Sequence, residues 1–155
     1  MININSQVKS RERVSAHGEV FTDEREVKAM CNLVADECRR YDSTFLEPAC
    51  GDGNFLAEIL RRKLDALNND PDYERKSLIA LASLYGIDIL ADNVASCRER
   101  LYHIWDSRGN PSGTSRTRAR EIVNANIVEG DTLKPSTITF TEWTFPEGSI
   151  TLPEE

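Results

Sequence analysis

Three acidic residues and two glycines stand where apolar runs of the chain end. Glu47 follows Phe45-Leu46 and opens Glu47-Pro48-Ala49-Cys50-Gly51-Asp52-Gly53. Asp88 closes Tyr85-Gly86-Ile87, and Asp131 follows Ile127-Val128-Glu129-Gly130. Gly51 and Gly53 give the backbone dihedrals closed to other residues and let the main chain come close to a ligand. A helix starting after them aims its free N–H groups at whatever fills the turn. Glu47 is placed to accept a hydrogen bond from a ligand ammonium. Asp88 is placed to take both hydroxyls of a ribose. Ile89 offers a surface for a base, and Asp131 an acceptor for an exocyclic amine such as that of adenine.

These features together describe a nucleoside-bearing ligand. Acidic Glu47 and Asp52 beside the turn disfavour a pyrophosphate there. They favour a ligand with a positive end, such as the amino acid moiety and sulfonium of S-adenosyl-L-methionine. Asp88 also lies further along the chain than the roughly twenty residues expected of a dinucleotide fingerprint.

The elements that must hold these residues follow from periodicity. Val27, Met30, Cys31, Val34, Cys38 and Tyr41 recur at helical spacing from Asp23, with Thr22 as the expected N-cap and Asp23, Glu24 and Glu26 suited to the positive end of the helix. Thr44 to Glu47 reads as a short buried strand. A helix is expected from about Gly53 to Leu67, with Phe55, Leu56, Ile59, Leu60, Leu64 and Leu67 on its core face, and Asn68-Asn69-Asp70-Pro71-Asp72 ends it. The apolar run Leu78 to Ile89 is too long for one strand. It divides into a helical or irregular lead-in and a buried parallel strand, Ser83 to Ile87. Leu90, Val94, Cys97, Leu101 and Ile104 mark another helix. Asp106 to Ser115 reads as a loop, Thr117 to Ala125 as a short helix, Ile127-Val128 as a strand and Ile138 to Phe145 as a final strand. Alternating strands and helices imply an α/β fold with a parallel sheet. Ligands of such sheets bind beyond the carboxyl ends of the strands.

At 155 residues the chain is long enough for one domain with a real core. Its 39% hydrophobic and 29% charged content fit a folded chain without a bilayer span. Residues 1–15 read as a polar arm without an apolar signal core, 16–146 as the ligand-binding domain and 147–155 as an acidic tail, so a cytoplasmic protein is expected. Cys31, Cys38, Cys50 and Cys97 form no CxxC pair and stand apart from His17 and His103. Buried free thiols are expected rather than a metal centre or disulfides. A net charge of −7 gives no general attraction to DNA phosphates. Nucleic-acid contact would need a local patch, for which Arg108, Arg116, Arg118 and Arg120, or Lys9, Arg11 and Arg13, are candidates beside the simpler reading of solvated surface. Trp143 reads as core or interface rather than a base-stacking platform.

Four segments in order, His17-Gly18-Glu19-Val20-Phe21-Thr22, Glu47 to Phe55, Tyr85 to Asp88 and Asn126 to Leu133, resemble adenine-specific DNA methyltransferases of the restriction-modification type. The resemblance covers about residues 14–133. It implies a Rossmann-like S-adenosylmethionine-dependent methyltransferase fold with a truncated parallel sheet flanked by helices. It implies that Thr22 and the backbone at Phe21 hold the methionine carboxylate. Glu47 and the backbone from Ala49 through Cys50 to Gly51 hold the amine. Asp88 takes the ribose, Ile89 the adenine face, Asp131 the adenine amine, and the Thr132 N–H faces the ring. Asp23 stands where the family usually has proline, and both suit a first helical turn.

The family's Asn/Asp-Pro-Pro-aromatic loop, which accepts from the target amine and stacks on the flipped base, has no counterpart. The chain contains no Pro-Pro, and Asn110-Pro111 precedes the third strand. The expectation is therefore a cofactor-binding part, truncated or split, that meets DNA together with a partner chain. A non-catalytic assembly module that dimerises or pairs through an exposed sheet edge is the alternative. A methyltransferase acting on RNA or protein is a third.

Overall fold

The computed structural model describes residues 22–145. The arm at 1–15, the motif His17 to Phe21, the basic cluster at 9–13 and the tail from 146 lie outside the described residues.

The described chain is an α/β structure. In order it runs α1 (Glu24–Leu33), α2 (Ala35–Arg39), β1 (Phe45–Glu47), α3 (Asn54–Ala66), α4 (Tyr73–Ala82), β2 (Leu84–Asp88), α5 (Ala91–Ser107), α6 (Gly113–Asn126) and β3 (Ile127–Glu129). The three strands form a parallel sheet in the order β1-β2-β3. Among the described residues no helix is long and apolar enough to cross a membrane.

Register sorts the side chains onto two faces. Phe45 is aligned with Leu84 and Glu47 with Gly86, while Gly86 is aligned with Ile127. Leu84 and Ile127 are fully buried under the helices, together with Leu56, Leu60, Leu78 and Ile122. Burying a side chain of this size stabilises by about 1.5–3 kcal/mol, so this face holds most of the cohesion. The opposite face carries Leu46, which is 55% exposed, beside Tyr85 and Ile87.

Several details depart from the expectations. Asp23, not Thr22, caps α1, its carboxylate accepting from the Arg25 N–H at 2.7 Å. The first helix is broken at Val34 (φ −123°, ψ 38°). Met30, on the outer side of α1, and Val34, at the break, are exposed, while Val27, Cys31 and Cys38 reach the core. β1 is an edge strand of three residues rather than a buried one. β2 begins at Leu84 because Ser83 caps α4. α6 starts at Gly113, earlier than expected, because Ser112 caps it and accepts from the Ser115 N–H at 3.2 Å.

Residues 138–145 do not form a strand, apart from a single bridging residue at Thr144. They follow a 3-10 turn (Pro135–Thr137) and lie along the open face of the sheet. Phe140 meets Tyr85 edge-on at 5.1 Å, and Tyr85 Oη donates to the Thr141 carbonyl at 3.2 Å. Their alternating apolar pattern therefore serves packing across the sheet rather than ladder pairing.

Lys63 of α3 is fully buried. Its ammonium donates to the Ser43 carbonyl and to Ser83 Oγ (2.8 Å), and it stands 5.2 Å from the centre of the Phe45 ring. It thereby ties α3 to the entry of β1 and to the end of α4. Burial pushes its pKa down from the ordinary 10.5 to about 8. The folded state then holds fewer protons than the unfolded state between those values, so stability rises with pH across that window. The cost is present in full below about pH 8. We expect the stability of the wild type, measured by urea unfolding relative to Lys63→Met, to rise by about 3 kcal/mol from pH 7 to pH 10.5. A flat difference would mean that Lys63 is not desolvated in the fold.

Candidate functional site

The carboxyl ends of the three strands are joined by main-chain and carboxylate hydrogen bonds. The Cys50 N–H donates to the Ile87 carbonyl at 2.8 Å, tying the turn after β1 to β2. The Gly130 N–H donates to the Asp88 carbonyl at 3.0 Å, tying the turn after β3 to the same strand. The Asp88 carboxylate completes the junction. Its Oδ2 accepts from the Gly51 N–H at 3.0 Å, and its Oδ1 accepts from the Leu90 N–H at 2.9 Å and from Asn93 Nδ2 at 3.2 Å.

Gly51 (φ +56°) and Gly53 (φ +95°) both take left-handed backbone, which lets the turn fold back between β1 and α3. Gly53 occupies the N-cap position of α3 without a capping side chain. Lack of a side chain matters there for a second reason. A Cβ on Gly53 would lie 2.8 Å from Cys97 Sγ, on the neighbouring helix α5.

A small cleft of about 80 Å³ opens on the Glu47 side of this turn. Thr22, Glu47, Ala49, Cys50 and Gly51 line it, all five named from sequence, together with Met30, Asp52, Asn54 and Phe55. Glu47 Oε1 accepts from the Ala49 N–H at 3.1 Å. Burial pushes the Glu47 carboxyl up, and the Ala49 bond pulls it partly back. Asp52 Oδ1 is buried without a hydrogen-bond partner among the described residues, and the Arg100 guanidinium stands 3.8 Å away as an ion pair. The cleft thus has two acidic residues in its lining, one of them paired with Arg100. Asn54 closes its rim, donating to the Thr22 carbonyl at 3.1 Å and accepting from Arg100.

The remaining named residues lie outside that cleft, along the ends of β2 and β3. Ile89 is 47% exposed just beyond Asp88. Asp131 follows Gly130, and its Oδ1 accepts from the Leu133 N–H at 2.9 Å, so one of its oxygens is spent on its own turn. Thr132 is exposed beside it. Phe21 lies outside the described residues.

Sequence reasoning missed Asn93, which is fully buried in the first turn of α5. Its amide reaches back five residues to Asp88. An asparagine early in a helix that follows a strand-end carboxylate is the signal that finds it.

Cys50 is buried, and its Sγ donates to the Gly51 carbonyl at 3.6 Å. Its thiol is pushed far up, first by its hydrogen bond with the Cys97 thiol and then by burial. It is a packed thiol. Cys31 is likewise pushed up to about 12, by burial and then by Cys38. All four cysteines are free and buried.

The arginine cluster is engaged within the fold. Arg108 pairs with Asp65, Arg116 with Asp106 at 2.9 Å, Arg118 with Glu121 at 3.0 Å and Arg120 with Glu99. Arg120 also stacks on the Tyr102 ring at 3.6 Å. Trp143 packs against the core and donates to Asn126 Oδ1 at 2.7 Å.

Comparison of the chain with family models, with curated proteins and with solved structures gives no match.

The glycine turn yields a direct test. Gly53→Ala is expected to cost about 1–2 kcal/mol, from left-handed backbone and from the contact with Cys97. In a Cys97→Ala background that cost should fall, because the sulfur that opposes the new methyl is gone. Equal costs in both backgrounds, measured as a double-mutant cycle in urea, would refute the packing account.

Proposed function

We propose that this chain is the S-adenosylmethionine-binding part of an adenine-specific DNA methyltransferase with a Rossmann-like fold. The observation that carries the reading is the Asp88 carboxylate, which ends β2 and lies within hydrogen-bond distance of the glycine turn after β1 (3.0 Å). The Glu47 cleft, the exposed Ile89 and Asp131 lie around that junction. This gives a positive ligand end and a nucleoside two adjoining places.

The residues fit such a ligand in a particular way. The cleft takes only the amino acid end, since about 80 Å³ is far too small for the whole cofactor. Its Glu47 carboxylate suits an ammonium, and Asp52, whose Oδ1 lacks a hydrogen-bond partner among the described residues and is ion-paired with Arg100 at 3.8 Å, adds negative charge beside it. A carboxylate has about four acceptor positions, and Asp88 already uses three of them. It therefore accepts one ribose hydroxyl directly, and a second only if the Gly51, Leu90 or Asn93 bond lengthens. Ile89 offers apolar surface to the base, and the free oxygen of Asp131 accepts its amine.

The cofactor supplies a sulfonium methyl for in-line displacement by a nucleophilic nitrogen. The chain's own contribution is binding and orientation. The residues that receive the target base are not encoded as a Pro-Pro loop in this sequence. We place them on a partner chain or a continuation of this one, and DNA contact with them.

A second reading has its own observation. The open face of the sheet holds a groove of about 310 Å³ lined by Thr44, Leu46, Tyr85 and Phe140, next to the edge strand β1. A non-catalytic assembly module would use that edge for a second copy or a partner. A stable dimer that never supports DNA methylation in any mixture favours this reading.

Calorimetry of the chain with S-adenosylmethionine tests the first reading. Binding is expected, with Glu47→Gln weakening it about tenfold through loss of the ammonium contact. Asp88→Ala should weaken binding by at least as much and also lower the melting temperature, because Asp88 holds the turn itself. Absence of heat and of any thermal shift at millimolar ligand would remove the cofactor from the account.

A further inference from the structure

A second cavity lies well away from the strand-end junction in sequence and in surroundings. It has a volume of about 190 Å³ and sits where the start of α4, the last turn of α5 and the loop after it meet. Its lining includes Tyr73, Trp105, Pro71 and Pro111, with Ser77 and Glu74. Asn110-Pro111, which serves no purpose at the proposed cofactor site, is part of this wall.

Two polar groups of the wall are already engaged, while Tyr73 Oη is buried without a hydrogen-bond partner among the described residues. Trp105 Nε1 donates to Ser77 Oγ at 2.9 Å, and Ser77 Oγ donates to the Glu74 carbonyl at 2.8 Å. Apart from the Tyr73 hydroxyl and the polar residues of the lining, the wall is mainly ring surface. An engineered apolar cavity of roughly 150 Å³ takes up benzene, so this one is large enough for a single six-membered ring with a substituent.

Two features set the charge it prefers. Glu74 is the one charged group of the lining. The Ser112 N–H donates to it at 2.9 Å, and hydrogen bonds from Ser115 and Ser112 hold its carboxyl below the usual glutamate range, so it is anionic at neutral pH. Trp105 lies in the last turn of α5, whose carbonyl end carries partial negative charge. The nearby Arg108 offers no free positive charge, being paired with Asp65. Aromatic faces also attract cations.

We propose that this cavity is a binding site for a one-ring organic cation, with the ring held between Tyr73 and Trp105 and an amidinium or ammonium group on the Glu74 carboxylate. It is independent of the cofactor reading and stands or falls separately.

The probes are benzamidine, its neutral analogue benzamide and anionic benzoate, titrated into the full chain. The readout is the indole N–H resonances of the two tryptophans, with Trp143→Phe used to tell them apart. Benzamidine is expected to shift the Trp105 resonance saturably and leave Trp143 in place. Benzamide should bind about fivefold more weakly, the scale of one exposed ion pair, and benzoate more weakly still. Glu74→Gln should bring benzamidine to the affinity of benzamide. On the unaltered chain, added salt should weaken benzamidine and leave benzamide unchanged, which keeps the test decisive if the variant does not fold. The proposal is overturned if benzamidine gives no saturable shift, if Trp143 moves as much as Trp105, or if benzamidine and benzoate bind alike. It is equally overturned if neither salt nor Glu74→Gln alters the preference.

Discussion

The carboxylate of Asp88 is the point on which the arrangement of the strand ends depends. It accepts three hydrogen bonds from three different places: the turn after β1, the residue before α5, and a buried amide within α5. Its own carbonyl receives the turn after β3. Hydrogen bonds to an ionised acceptor contribute about 1.5–3 kcal/mol each, more than most neutral ones. A short sheet with strands of three and five residues has few ladder bonds to set its ends in order. The carboxylate supplies that order locally, and it does so at the position where a parallel sheet presents a ligand site.

This places one residue under two demands. A side chain that only bound a ligand would keep its acceptor positions free, and one that only capped a helix would not reach across to a neighbouring strand. Asp88 both receives the start of α5 and reaches across to the turn after β1, and on the proposed reading it keeps one acceptor position for a ligand. Asp131 shows a milder version, with one oxygen on its own turn and one free. Glu47 shows another, accepting from Ala49 while facing the cleft. All three acidic residues thus hold their own turns, and any ligand meets acceptors whose directions the fold has already set. Such preorganisation lowers the cost of ordering groups on binding.

Much of this was legible in the sequence, and the failures are informative. β2 was readable because a fully buried parallel strand has to be a continuous apolar run, and the turn was readable because only glycine takes φ of +56° and +95° without strain. The break at Val34 was not readable, since it reflects how two short helices settle on α3 rather than any local breaker. Residues 138–145 misled for a different reason. Alternation reports a surface half covered and half exposed, and a segment lying flat across a sheet satisfies it as well as a strand within one. The tie between Asp88 and Asn93 lies in a single amide whose direction is set by the fold.

The open face of the sheet and the paired arginines bear on how such a chain would meet DNA. Among the described residues, one face of the sheet is sealed by helices and the other is covered by residues 138–145, with Leu46 more than half exposed. The arginines that might have formed a phosphate-binding patch are tied to carboxylates, and net charge is −7. Releasing an arginine from its carboxylate to reach a phosphate exchanges one ion pair for another and leaves an anion behind, so this surface gains little from DNA on its own. On the proposed reading, attraction to nucleic acid would come from a partner carrying the positive charge.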